Sequence, residues 1–223
     1  MKRSEINRRI RDAEAFFEKM HFKLPVWASW GPEKWKGKGD VEVVRNKLGW
    51  DLTDYAGGDF DKLGLILFTI RNGNLAANDP KLYAEKIMIV GEDQICPMHF
   101  HWKKREDIIN RGGGELVIEL HGSNAKEEFT GEPLTVHIDG LPRTVPPGGK
   151  VILAPGESIC LEPGMYHRFH GQTGKGRVLT GEVSSVNDDD ADNRFYEPMP
   201  RFPAIIEDEP PYRLLVNDYP AYV

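Results

Sequence analysis

The sequence predicts an all-β domain, a sandwich or barrel, carrying an N-terminal helical and irregular extension and an extended C-terminal tail. Three observations lead there. From residue 62 onward, short apolar runs recur between turn signals such as Asn72-Gly73, Asp139-Gly140, Pro147-Gly148-Gly149 and Pro155-Gly156. No helical period of useful length interrupts them. The chain also holds 23 glycines and 16 prolines, many for a helical bundle and suited to frequent turns.

The first element is a helix. Ile6, Ile10, Ala13, Phe16, Phe17 and Met20 recur on one stripe at helical spacing, and Ser4 suits its N-cap. Residues 24–60 read as irregular, with Trp27, Trp30, Trp35 and Trp50 among turn residues. They are expected as buried anchors of a long arm, sugar-facing rings being the alternative. Strands are expected at 63–70, 82–90, 95–102, 115–120, 134–138, 151–153, 157–161, 167–170 and 177–183. The organisation is therefore an extension over 1–61, a barrel over 62–186 and a proline-punctuated tail over 187–223, in one structural domain. With 223 residues, 39% of them hydrophobic, such a domain can bury a core.

Charge and cysteine content exclude several classes. A net charge of -6 argues against nucleic acid as the partner, since phosphate contacts need a basic surface. Two cysteines, Cys96 and Cys160, cannot build a disulfide framework and read as small buried side chains. The first nine residues have no apolar signal stretch, and the run at 63–70 is too short to cross a membrane. A cytoplasmic protein with no membrane partner is expected.

The chemistry concentrates in His99-Phe100-His101-Trp102-Lys103-Lys104-Arg105-Glu106. On a strand, His99 and His101 point to one face. Glu106 follows after four residues, which a turn into a further strand returns to the same pole. Two imidazoles and a carboxylate on one concave face form a metal-site constellation. A fourth candidate, His167, begins a strand after the turn Pro163-Gly164. His21, His121, His137 and His170 have no such partners and read as solvated, turn or outward-facing residues.

The pattern HxHx4E, then Gly112–Gly114, then a Gly…Pro-Gly-x-x-His segment resembles the two motifs of the cupin superfamily. Three positions depart from it. The nearest upstream glycine is Gly91, farther from the first His than usual. Pro163 directly precedes Gly164, and Gly171 stands where Asn is usual. All three touch turns rather than ligands. The resemblance implies a cupin jelly-roll barrel with a metal inside on His99, His101, Glu106 and His167.

A longer match is to the D-lyxose isomerase family. It runs through Met1-Lys2-Arg3-Ser4-Glu5-Ile6-Asn7, Lys47-Leu48-Gly49-Trp50-Asp51, Pro97-Met98-His99-Phe100-His101-Trp102-Lys103-Lys104 and the segments 68–74, 83–87 and 181–189. This resemblance implies an aldose–ketose isomerase converting D-lyxose to D-xylulose, and D-mannose to D-fructose, through a cis-enediol. It implies a divalent metal, usually Mn2+. Imidazole and carboxylate donors hold Mn2+, Co2+, Ni2+ or Fe2+, with no thiolate to select Zn2+ or Cu+. The partner is a monosaccharide. Family likeness and exposed strand edges suggest a homodimer.

Four residues are candidates for the chemistry. Glu182 shares a strand face with Val178 and Thr180 and suits a base; a surface strand Glu is the alternative. Lys86 lies on an otherwise apolar face with Ala84, Met88 and Val90, as a pocket-lining or an edge-strand residue. Lys104 reaches the metal's open side or is a solvated turn residue. In the acidic run 187–192, Asp189 or Asp190 contacts the sugar or serves as a second acid/base, unless the run is a solvated loop, and Arg194 is available to pair with it. Two rival functions use the same fold, a cupin Fe(II) dioxygenase and a non-catalytic sugar-binding cupin.

Overall fold

The apolar stripe lies buried along helix α1 (Arg3–Lys19) in the computed structural model, which describes residues 1–189 and 191–223. Ser4 does not cap this helix. Lys2 is the N-cap and has no side-chain bond. The tail supplies the missing acceptors: Arg3 N–H donates to Ile206 O at 2.8 Å, and the Ser4 N–H and hydroxyl donate to Asp208 at 2.9 and 2.7 Å. The helix ends at Lys19, and His21, with a φ of 56°, takes the chain out of the helical path.

Thirteen strands follow: β1 (Gly49–Thr53), β2 (Leu65–Arg71), β3 (Tyr83–Val90), β4 (Cys96–Phe100), β5 (Glu106–Gly113), β6 (Leu116–His121), β7 (Leu134–Ile138), β8 (Leu141–Val145), β9 (Gly149–Leu153), β10 (Ser158–Leu161), β11 (Tyr166–Gly171), β12 (Val178–Ser185) and β13 (Arg194–Phe195). A large sheet has the order β1-β2-β3-β12-β5-β10-β7-β8, and a small one β13-β4-β11-β6-β9. All their pairings are antiparallel, and the two sheets make a cupin-type jelly roll.

Four strands lie outside the sequence expectation, among them the two-residue β13 in the stretch read as tail. β1 sits in the stretch read as irregular, because its alternating Gly-Trp-Asp-Leu-Thr run is short and stands alone among turn residues. All five of its residues are buried. β5 begins inside a run of charges that reads as a turn. β8 contains Pro142, which suits its place at the sheet edge, where no second neighbour needs the missing N–H.

Between the sheets Met88, Val90, Ile108, Ile118, Leu120 and Ile159 form the main core. A second core lies on the outside of the large sheet, where Ile6, Ile10 and Phe17 of α1 meet Trp50, Phe68 and Ile87. Two covered faces explain why Leu65, Ile66, Leu67 and Phe68 run continuously apolar rather than alternating. Trp35 and Trp50 are buried and Trp27 and Trp30 partly so, as anchors; Trp50 Nε1 donates to Ala28 O at 3.0 Å. Among the described residues no helix is long and apolar enough to cross a membrane.

The tail is fastened to the start of α1. The guanidinium of Arg3, fully buried, donates to Glu207 at 2.6 and 2.8 Å and to Asp218 at 2.8 and 2.9 Å. Arg3→Ala strands the buried Asp218 carboxylate without its cation, so a loss of about 3–5 kcal/mol is expected. Urea denaturation measures it; an unchanged midpoint would show the tail to be held by apolar contacts alone.

Candidate active site

Two cross-strand pairs face each other inside the barrel. In the small sheet His99 of β4 is directly opposite His167 of β11. In the large sheet Lys86 of β3 is directly opposite Glu182 of β12. His101 lies just past β4, and Glu106 opens β5 opposite Ser184 of β12. Imidazoles thus come from one sheet, and carboxylates and an ammonium from the other. With Lys104, these seven side chains share one pocket of about 420 Å³. None is more than 8% exposed, so the charged ones require partners inside the protein.

The imidazoles have a fixed orientation. Nδ1 donates to a backbone carbonyl in each: Pro97 O at 2.7 Å for His99, Met165 O at 3.0 Å for His167, and Asp192 O for His101. A carbonyl only accepts, so the proton is on Nδ1 and the Nε2 lone pair is free. Burial, with His167 and His101 beside it, holds His99 well below its ordinary value. Burial and nearby Lys104 push His101 down to about 4. Both rings are therefore neutral at pH 7.

These three histidines form a cluster with ligand atoms within 4.8 Å of one another. Glu106 Oε1 lies 3.1 Å from His167 Nε2 and 3.6 Å from His101 Nε2, and it has no hydrogen-bond donor. Acceptors converging on each other at this depth repel unless a cation lies among them. The donor set therefore fits a divalent ion of the imidazole- and carboxylate-binding kind.

Lys104 is not a solvated turn residue. Its ammonium lies 2.7 Å from Glu106 Oε2 and 3.0 Å from Glu182 Oε1. Lys86 is not an edge-strand residue either. It donates to Asn187 Oδ1 at 2.6 Å and lies 3.5 Å from Glu182 Oε1. Burial alone would raise the Glu182 carboxyl, but Lys104 and Lys86 hold it below the ordinary carboxylate value. Among the described residues every hydrogen bond to Glu182, from Lys104 and Ser184, falls on Oε1. Oε2 is left for a proton from outside the protein.

Asp189 stands at the pocket margin, 3.8 Å from both Lys86 and Arg201. Asp190 lies outside the described residues. Arg194 turns to another partner: its Nε donates to Glu127 at 2.7 Å. His121 stacks on Phe129 at 4.0 Å, and neither it nor His21, His137 or His170 joins the cluster. Cys96 is buried in the pocket wall beside Tyr55 O–H at 3.4 Å, while Cys160 is only partly buried.

Three participants escaped the sequence reading. Arg201, from the tail, lines the pocket; it donates to Asp51 at 2.5 Å, its carbonyl accepts from Thr53 Oγ1 at 2.7 Å, and its NH1 has no partner. Asn187 accepts from both Lys86 and Lys104. Asp192 accepts from the N–H groups of Lys103 and Lys104 at 3.0 and 2.9 Å, shaping the turn that aims Lys104 inward. Asn187 and Asp192 belong to the acidic run, which gave a signal; an arginine between two prolines gave none.

The metal-free protein should be acid-labile. The unfolded chain protonates His101 near 6.5, the folded one only near 4. Between those values the unfolded state binds more protons, so stability falls as pH falls, by roughly 3 kcal/mol for this group. Urea midpoints of chelated protein at pH 7 and 4.5 check the sign; an equal or higher midpoint at 4.5 would contradict it.

A family model described as D-lyxose isomerase matches residues 1–219. A D-lyxose/D-mannose isomerase of Serratia proteamaculans is 47% identical over 227 residues, covering 100% of both chains. One from Escherichia coli O157:H7 is 49% identical over 224 residues, covering 98% of each. Among solved structures, a mutant of the Acinetobacter sp. DL28 L-ribose isomerase in complex with L-ribose matches with a TM-score of 0.61 at 16% identity, covering 92% of this chain and 98% of that one. The L-ribose isomerase of Geodermatophilus obscurus gives 0.60, also at 16% identity, with the same coverage. Identities this low show a shared fold.

Proposed function

Because the chain belongs to the D-lyxose isomerase family and is a sugar isomerase, we propose that it interconverts D-lyxose with D-xylulose and D-mannose with D-fructose. The observation that carries this reading is one buried pocket in which unpartnered acceptors for a cation face a carboxylate with a free oxygen. His99, His101, Glu106 and His167 would hold a divalent ion, Mn2+ by family resemblance. When bound, that ion supplies Lewis-acid polarisation of the sugar carbonyl.

The chain's own groups then move the protons. Glu182 Oε2 takes the proton from C2 of the open-chain aldose and returns it to C1, while the hydroxyl proton of O2 passes to O1 across the cis-enediol, leaving the carbonyl at C2. Lys104 and Lys86 keep Glu182 ionised beforehand and offset negative charge growing on the sugar oxygens. The free NH1 of Arg201 donates to a sugar hydroxyl, and Asp189 helps hold it there. Asp192 keeps His101 in the tautomer that presents Nε2. Lysines, carboxylates and an arginine around one small pocket suit a polyol, not the apolar substrate of an oxygenase. The homodimer belongs to this reading, and sedimentation measures it.

The test is incubation of Mn2+-loaded protein with D-lyxose in D2O without oxygen, followed by NMR. D-Xylulose with deuterium at C1 is expected. Neither lyxose nor mannose yielding a ketose would overturn the reading.

A further inference from the structure

The catalytic candidates of the pocket just described are buried, yet a sugar must reach them. The largest cavity among those described lies alongside, with about 1050 Å³ of empty space. The two share Asp189. Their partition is thin. Asn187 lines the cavity while its Oδ1 accepts from Lys86 and Lys104 on the other side. Asp51 also lines the cavity while its carboxylate holds Arg201 of the pocket.

The cavity wall is rich in amides: Asn46, Asn72, Asn74 and Asn187. Amides both donate and accept, as sugar hydroxyls do, although Asn72, Asn74 and Asn187 spend theirs within the wall, on Asn187, Arg45, Ala77 and the two lysines. Asn46 is buried and its Nδ2 is fixed by Asn72 O and Asp79, yet its Oδ1 has no hydrogen-bond partner. Charge in the wall is mixed, with Asp51, Asp188 and Asp189 against Arg45 and Lys47, so a phosphorylated sugar has no basic cradle. Phe202, Val216 and Leu75 add apolar surface for a ring face. Free aldoses in water are overwhelmingly closed rings, whereas the proton transfer at C2 requires the open chain.

We propose that this cavity is an arrival site that binds the neutral monosaccharide as a closed ring, before the sugar passes Asp189 into the inner pocket. The proposal rests on the isomerase reading for its substrate. Its ligand chemistry, an uncharged pyranose on a mixed-charge wall with an open amide oxygen at Asn46, is read from the cavity itself.

Methyl α-D-mannopyranoside is the probe, because its methyl group locks the ring. Calorimetry and saturation-transfer NMR should show it binding equally to Mn2+-loaded and chelated protein, and it should compete with D-mannose in turnover. Ala76 and Leu75 line the cavity and are exposed, so Ala76→Trp or Leu75→Trp can fill it without disturbing the core. Either variant should abolish glycoside binding and raise KM for D-mannose about tenfold with kcat within about twofold, the signature of lost uniform binding. Binding that needs the metal would place the ring in the inner pocket and overturn the proposal. So would glycoside binding that survives both variants, or no binding to an active enzyme. Glycoside binding that the variants remove from a protein unable to isomerise either sugar would keep the arrival site and discard the isomerase reading.

Discussion

His101→Ala is expected to abolish isomerase turnover and leave the dialysed protein without bound Mn2+. Its Nε2 is one of three converging imidazole lone pairs, and Glu106 Oε1 lies 3.6 Å from it. Removing one of four donors weakens the ion's hold by more than the ~10–100-fold typical of losing a supporting partner outside the coordination shell. Chelation of the wild type should give the same null activity, restored when Mn2+ is added back; the variant should not recover. Metal analysis and a ketose assay read both effects. Turnover retained in rigorously metal-free buffer would remove the ion from the reaction.

Glu182→Gln should lower kcat by ~10²-fold or more while metal content and KM stay near wild type, because a positioned base is lost without loss of a ligand. The amide oxygen still accepts from Lys104 and Ser184, which donate to Oε1 at 3.0 Å each, so the fold has no reason to change. Lys86 and Lys104 keep Asn187 as a partner, and Lys104 keeps Glu106. Loss of deuterium incorporation at C1 should follow the loss of rate. A variant with wild-type kcat would take Glu182 out of the mechanism.

Much of this site is legible in local sequence because strands impose a period of two. That period sends His99 and His101 one way, and sets Lys86 among Ala84, Met88 and Val90 on a face that proves buried. The jelly roll is legible because short apolar runs alternate with turn residues. What was not legible depends on contacts distant in sequence. β1 is a strand because β2 pairs with it and α1 covers the second core around it. Lys104 points inward because Asp192, far along the chain, holds its backbone. Arg201 sits in a tail whose prolines speak only of irregular backbone. Its place is set by Asp51 and Thr53, about 150 residues earlier.

The fastening of the tail bears on how the enzyme becomes active. Arg201 reaches the pocket only when residues 201–218 have returned to β1 and α1, and Arg3 closes on Asp218 across 215 positions. Loops that long carry a large closure entropy and form after local pairings. The β-hairpins can assemble early, but the chamber is sealed and its last cation delivered late. Maturation therefore has an order, with the sheets first and catalytic competence last, and refolding should restore far-ultraviolet circular dichroism before it restores turnover.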